Sequence, residues 1–473
     1  MEPRMTATRT DSQKEAGPSA IRWILQMKTV SWVIGSLLTA AAGLALAPAS
    51  AAEAQPYRFD FGPGDKAPGY TQVLPTTVYT PERGYGFEPG TVVTGVDRGG
   101  RDPLRGDFIT SDRPFFFSVQ VPAEGNYRVT VTLGDAQGET TTTIKAELRR
   151  LMVERVHTKS GEFATAGFIV NTRTPMIAAT DDIPAGEVRL KAPRESIQEG
   201  WAWDNRITLE FSNEHPAVCA VEIAGVEVPT IFLLGDSTVC DQSREPFCSW
   251  GQMLTRFFKP EVAIANHGES GETYRDSIGQ RRLDKILSVM KPGDYLIMQF
   301  GHNDQKQVAA GTGGPFTTYK AEIRQHVDAV RRRGGIPVIV SPMERRGFDE
   351  NGRIKPSLAD YAEASRQAAR ELQVAFIDLN AMSIPFYEAL GPEKSKLAFA
   401  RTGPDKVDNT HHDNYGAYEL AKCIVQGIKD ARLDIAKYIV DDFKTFDPGH
   451  PDPVESFDVP PSPVVTVEKP FGN

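Results

Sequence analysis

Ile231-Phe232-Leu233-Leu234-Gly235-Asp236-Ser237-Thr238 is the stretch on which the fold turns. Four consecutive apolar residues suit a strand buried on both faces, as in a parallel sheet, and the glycine permits a tight exit from it. Beyond it, Trp250, Leu254, Phe257 and Phe258 recur at helical spacing. Val262–Ala265 reads as a strand, Ile278–Met290 as a helix and Tyr295–Phe300 as a strand. Tyr319, Ile323, Val327 and Val330 mark a further helix, Ile336–Val340 a strand, Leu358–Leu372 a helix and Ala375–Leu379 a strand. A last helix is expected from about Tyr415 to Lys429. Strands alternating with helices predict an α/β domain over residues 228–438, a parallel sheet with helices on both faces.

Upstream, from about Pro56 to Val226, the pattern is that of short strands. Phe115–Val121 and Tyr127–Leu133 flank a Pro-Ala-Glu-Gly-Asn turn, and Ile207–Phe211 and Val218–Ile223 follow with similar alternation. A β-sandwich over residues 56–226 is expected. Downstream, residues 439–473 are rich in Pro and Asp and read as an extended surface tail or a disordered one. The first 52 residues are different again. Lys28, an apolar run from Val30 to Leu46 and the small residues up to Ala52 make a secretory signal, with Met1 or Met27 as the start. A membrane anchor is the competing reading, against which stands a run barely long enough to span.

The 473 residues accommodate two folded domains, and 40% hydrophobic with 24% charged residues is a globular composition. Loss of the signal, with its five Lys/Arg and three Asp/Glu, takes the net charge from −9 to −11. That sign argues against nucleic acid or anionic lipid as a partner, and an acidic polysaccharide would need local basic residues. Of the four cysteines, Cys240 and Cys248 share one loop, so export leaves a local bridge open. No Cys-x-x-Cys spacing supports a metal site.

Ligands of open parallel sheets sit beyond the carboxyl ends of the strands, and four polar clusters fall there. Gly235-Asp236-Ser237-Thr238 offers a hydroxyl that needs a base to become a nucleophile; alone it reads as a turn with a helix cap. Asn266-His267-Gly268-Glu269-Ser270-Gly271 offers the Gly271 N–H, or is a plain glycine turn. In Gln299-Phe300-Gly301-His302-Asn303-Asp304 the Asn303 amide can donate to a developing oxyanion, and His302 is a base or a structural hydrogen-bonding group. In Asp408-Asn409-Thr410-His411-His412-Asp413, three residues apart on one loop, His411 can take a serine proton and Asp408 can orient it. A metal site from His411, His412 and Asp413 is the alternative.

Four such clusters in this order resemble the SGNH (GDSL-type) hydrolases, and among them the rhamnogalacturonan acetylesterases. Gly-Asp-Ser-Thr-Val239, Gly-His-Asn-Asp304 and Asp408-x-Thr-His411 followed by Gly416-Ala417 carry the likeness. Phe59–Gly64, Ala67–Tyr70 and Gly84–Phe87 resemble, less closely, a galactose-binding-like β-domain that precedes some bacterial members. The resemblance implies a flavodoxin-like sheet and a triad of Ser237, Asp408 and His411. It also implies an oxyanion hole of Ser237, Gly271 and Asn303 and an acyl-enzyme intermediate, with no metal or organic cofactor. It further implies an acetylesterase acting on a plant cell-wall polysaccharide; with the signal segment, an exported protein, periplasmic or extracellular, is expected, and a monomer. Asp236, His302, Lys306 and Trp250 are candidate substrate contacts. Lys306, Arg275, Arg345 and Arg346 follow strand ends where they could meet uronate carboxylates, though each can equally be a solvated charge, and Trp250 is either a sugar platform or helix core. Another SGNH ester chemistry (lipase, thioesterase, acetylxylan esterase) and a carbohydrate-binding protein working through Tyr70, Tyr79, Tyr85, Phe87, Trp201 and Trp203 are the rival functions.

Overall fold

The computed structural model describes residues 55–470, so the signal-like segment 1–52 lies outside the described residues. The α/β half is built on a sheet of five strands, Ala263–Asn266, Thr230–Gly235, Tyr295–Gln299, Ile336–Val340 and Ala375–Ile377 in spatial order. All four pairings are parallel. In chain order this is 2-1-3-4-5, the flavodoxin-like arrangement, whose order reverses beside the strand that leads into Ser237. The continuous apolar runs have a direct cause. Ile231, Leu233, Ile297, Val338 and Val340 face one core, which holds Trp250, Leu254 and the helix Asn414–Asp430. Phe232, Leu234, Leu296, Met298 and Ile339 face the other, under the helices Lys320–Arg332 and Ala359–Leu372.

Three local expectations change. The helix expected over Ile278–Met290 is two, Tyr274–Gly279 and Arg282–Val289, broken where Arg281 takes a left-handed φ of 64°. Helical structure over Leu379–Lys394, in two pieces joined at a kink where Gly391 has φ 72°, was not expected, because Pro385, Gly391 and Pro392 interrupt its pattern. Asp408 and His411 stand on the strand Lys406–His412, which pairs with Phe399–Gly403 in a hairpin, and not on a loop.

The amino-terminal half packs a seven-stranded sheet on a five-stranded one. Phe115–Gln120 and Gly125–Gly134 are strands, as expected, but they do not pair with each other: the Pro122 turn crosses between the sheets. Phe115, Phe117 and Val119 then meet Val129, Val131 and Leu133 across one core with Phe59, Phe61 and Phe211. Phe87 and Trp203 are buried, so they present no sugar platform. Tyr70 donates to Glu222, and Trp201 packs on Phe116.

The Pro-rich carboxyl-terminal segment is no loose tail. Lys145 Nζ donates to the Pro460 carbonyl at 2.6 Å, Ser462 Oγ to Glu210 Oε2 at 2.7 Å, and the segment exchanges backbone hydrogen bonds with Glu245 through Val464 and Thr466. The four cysteines are free and buried, so the local Cys240–Cys248 bridge does not form. Cys240 Sγ turns to Ser270 Oγ, whereas Cys248 Sγ turns to the Ser249 carbonyl. No helix among the described residues is long and apolar enough to cross a membrane.

Candidate active site

Ser237 follows its strand in a tight turn in which the Asp236 carbonyl accepts from Val239 N and Cys240 N. Asp236 is fully buried, and its Oδ1 accepts from Thr238 N and Oγ1 while Oδ2 lies 3.3 Å from His302 Nδ1. Burial pushes this carboxyl up, but His302 and Thr238 hold it below the ordinary carboxylate value. Thr238 Oγ1 accepts from Gln299 Nε2, and Gln299 Oε1 accepts from Trp250 Nε1. Asp236 and Trp250 therefore brace the turn and have no surface to offer a substrate, against the expectation for both. Trp250 is helix core.

His411 reaches across from the hairpin, with Nε2 2.9 Å from Ser237 Oγ and Nδ1 3.2 Å from Asp408 Oδ2. Asp408 Oδ1 accepts from Thr410 N at 2.7 Å and His411 N at 2.9 Å. Burial alone would raise Asp408, yet its contacts with His411 and Thr410 hold it well below the usual carboxylate range. Burial lowers His411, and Asp408 offsets only part of that. An anionic carboxylate beside Nδ1 fixes the proton there, which leaves a neutral Nε2 lone pair toward the hydroxyl. The arrangement can move a proton from Ser237 Oγ to His411.

Gly271 and Asn303 follow the two strands that flank the one leading into Ser237. Gly271, in the loop after Ala263–Asn266, has φ 76°, a conformation that favours glycine. Asn303 Nδ2 donates to the Glu272 carbonyl at 3.1 Å, and Oδ1 accepts from Lys306 Nζ at 3.2 Å. Those partners fix the amide's orientation and leave one of its two N–H groups over. His302 lies beside the pair, with Nε2 buried and without a hydrogen-bond partner. Lys306 is at the rim and lowered by burial and by Arg345 and Lys469 nearby. The other candidate cations are committed within the protein. Arg275 pairs with Glu322, Arg345 donates to Gln305, Thr410 and the His302 carbonyl, and Arg346 lies over the Phe399 ring. His411, His412 and Asp413 do not converge on one point. His412 Nε2 meets the Tyr387 hydroxyl, and Asp413 caps the last helix through Gly416 N.

Several neighbours carried no signal in the sequence. Phe247 sets its ring edge-on to His411 at 5.7 Å, and Lys469 Nζ lies 3.3 Å from Asp408 Oδ2. Both line a cavity of about 290 Å³ bounded as well by Arg194, Glu199 and Gln242. Ser237 and His411 are 0% and 1% exposed, so their contact lies in a largely desolvated setting.

A model described as the GDSL-like Lipase/Acylhydrolase family matches residues 233–406, the span from the strand before Ser237 into the hairpin. Rhamnogalacturonan acetylesterase RhgT of Bacillus subtilis (strain 168) is 39% identical over 220 residues, 44% of this chain and 94% of that protein. The chain belongs to the GDSL-like lipase/acylhydrolase family. Membership makes it a carboxylic ester hydrolase with the SGNH fold. A second model, Beta-agarase/YXIM esterase-like, galactose-binding domain-like, matches residues 57–162 of the sandwich. The acylhydrolase and sandwich halves occur together in Uncharacterized esterase YxiM of the same organism, 28% identical over 395 residues, 80% of this chain and 92% of that protein. The crystal structure of protein YxiM from Bacillus subtilis superposes with a TM-score of 0.42 at 24% identity, over 80% of this chain and 99% of that one.

Proposed function

We propose that this acylhydrolase is an exported serine esterase that removes acetyl groups from a plant cell-wall polysaccharide, rhamnogalacturonan before others, through an acyl-enzyme. The observation that carries the reading is the line Ser237 Oγ, His411 Nε2 and Nδ1, Asp408 Oδ2 with contacts of 2.9 and 3.2 Å. Ser237 Oγ attacks the acetyl carbonyl carbon as its proton passes to His411 Nε2, and Asp408 stabilises the imidazolium. The oxyanion is bound by the N–H groups of Ser237 and Gly271 and by the remaining N–H of Asn303. Collapse breaks the ester C–O bond, and His411 gives its proton to the departing sugar oxygen, which leaves as a hydroxyl. Water, deprotonated by His411, then cleaves the acetyl-serine to acetate and free enzyme.

The polysaccharide is supported by the likeness to a protein named for rhamnogalacturonan and by Lys306 and Lys469 at the rim, where galacturonate carboxylates would be met. Export is supported by the signal-like residues up to Ala52, and we expect a monomer. The test is acetate release from acetylated rhamnogalacturonan, acetylated xylan and an aryl acetate, by wild type and Ser237→Ala. We expect a preference for the pectic polymer and a loss of about 10⁶-fold in kcat in the variant. Release from xylan or the aryl ester alone would discard the substrate and keep the esterase. Release surviving in Ser237→Ala would discard the nucleophile.

A further inference from the structure

Gly271 lies in a loop whose strongest side-chain anchors come from the sandwich half of the molecule. Before its strand Arg206–Ser212, that half runs through the polar segment Lys191–Trp203. Lys191 Nζ donates to the Ser270 carbonyl at 2.6 Å and lies 2.6 Å from Glu272 Oε1. Arg194 Nη2 donates to Ser270 Oγ at 2.7 Å, while its Nε donates to Glu199 Oε1 at 2.6 Å and lies 3.6 Å from Glu269 Oε1. Residues on both sides of Gly271 are thus gripped from outside their own domain. Contacts from within it are longer, as in Gln242 Nε2 to Ser270 Oγ at 3.3 Å.

The gripping segment is itself fixed. Glu195 Oε2 accepts from Lys191 N at 2.8 Å and from Arg282 Nη2 at 2.5 Å, and Glu195 Oε1 accepts from Trp203 Nε1. Glu195, Glu199, Glu269, Ser270, Glu272 and Arg282 are all buried, where charge-assisted bonds are strong and resist displacement.

The loop also sets the second donor, since the Glu272 carbonyl is what Asn303 Nδ2 holds. A shift of residues 270–272 would move the Gly271 N–H and the Asn303 amide together. Misplacement by about 1 Å can cost about 10²-fold in rate.

We propose that Lys191 and Arg194 are positioning residues for the oxyanion pocket, so that the sandwich domain is a working part of the esterase centre. This rests on the reading of Gly271 and Asn303 as oxyanion donors. It differs from ordinary domain adhesion, which Lys285 supplies elsewhere on the same interface through Glu124 and the Met176 carbonyl.

The experiment uses the full chain with Lys191→Met, Arg194→Met, the conservative Arg194→Lys, and Lys285→Met as the adhesion control. For each, kcat and KM on an aryl acetate are read beside backbone hydrogen exchange across residues 268–273. We expect Lys191→Met and Arg194→Met to lower kcat about 10- to 100-fold with KM changed less than about twofold. Exchange at the loop should rise, Arg194→Lys should recover part of the rate, and Lys285→Met should keep wild-type kcat. Unchanged kcat and protection in both loop variants would overturn the proposal, as would an equal loss in Lys285→Met. A wild type that turns over no ester would defeat the esterase reading separately, and loop exchange would still decide the bracing. Arg194→Lys serves where Arg194→Met fails to fold.

Discussion

The turn that carries Ser237 and the loop that carries Gly271 follow neighbouring strands of one sheet, and they are held by opposite means. Around Ser237 every named support is local to the α/β domain: Asp236 and Thr238 within the turn, then Gln242, Trp250, Gln299 and His302. Around Gly271 the short contacts come from Lys191 and Arg194, which lie some eighty residues upstream in the segment that leads into the sandwich strand Arg206–Ser212. The nucleophile turn itself is therefore self-contained, with Arg149 and Arg150 of the sandwich reaching only residues beyond it, such as Gln242 and Asp241, and the oxyanion side is borrowed. A motif can announce the first kind of construction, because Asp236, Thr238, Gln299 and His302 are themselves members of the polar clusters at the strand ends. It cannot announce the second.

The comparison is broken most forcefully on the self-contained side. Asp408 accepts two backbone N–H groups through Oδ1 and faces His411 Nδ1 through Oδ2. Asp408→Asn keeps the shape but places a donor opposite Nδ1, which favours the tautomer unable to accept the serine proton. The expected loss in kcat is about 10³–10⁴-fold, at a thermal midpoint close to wild type. A loss below tenfold would mean that His411 is oriented without Asp408.

The borrowed side gives a smaller effect and a sharper test. Asn303→Ala removes one oxyanion donor and should cost about 10²–10³-fold in kcat. Combined with Arg194→Met, the losses should fall short of multiplying, since the Ser270–Glu272 loop governs both donors and coupled residues are not additive. Full multiplication would show that Arg194 acts independently of Asn303.

The same contrast explains what was legible in the chain. The five parallel strands were readable because burial on both faces forces unbroken apolar runs such as Ile231–Leu234. Asp408 and His411 were readable as a pair because they are three residues apart, although the hairpin that carries them was not. The helical stretch Leu379–Lys394, kinked at Gly391, was hidden by its two prolines and that glycine. The carboxyl-terminal segment was hidden by distance, since its anchors Lys145 and Glu210 lie more than two hundred residues away. Asp236 and Trp250 were read as possible substrate contacts because a polar or aromatic residue near a strand end signals either a contact or a brace. Only their packing separates the two.

The smallest expected effect lies where that hidden segment meets the self-contained side. Lys469 Nζ stands 3.3 Å from Asp408 Oδ2, the oxygen that also faces His411. Burial is the main cause of the lowered His411 basicity, Asp408 opposes it, and the Lys469 charge adds to the lowering. The base must be neutral to act, so kcat/KM rises with pH through the His411 titration. Its acid limb should have a midpoint below the ordinary 6.5. Lys469→Met removes a cation that disfavours imidazolium, so the limb should move to higher pH. The side chain is 41% exposed, and screening should keep the shift below about one pH unit and shrink it further in salt. A pH profile on an aryl acetate at low and high ionic strength measures this. A limb that moves to lower pH would mean that Lys469 acts mainly by drawing Asp408 away from His411, a geometric role in place of an electrostatic one.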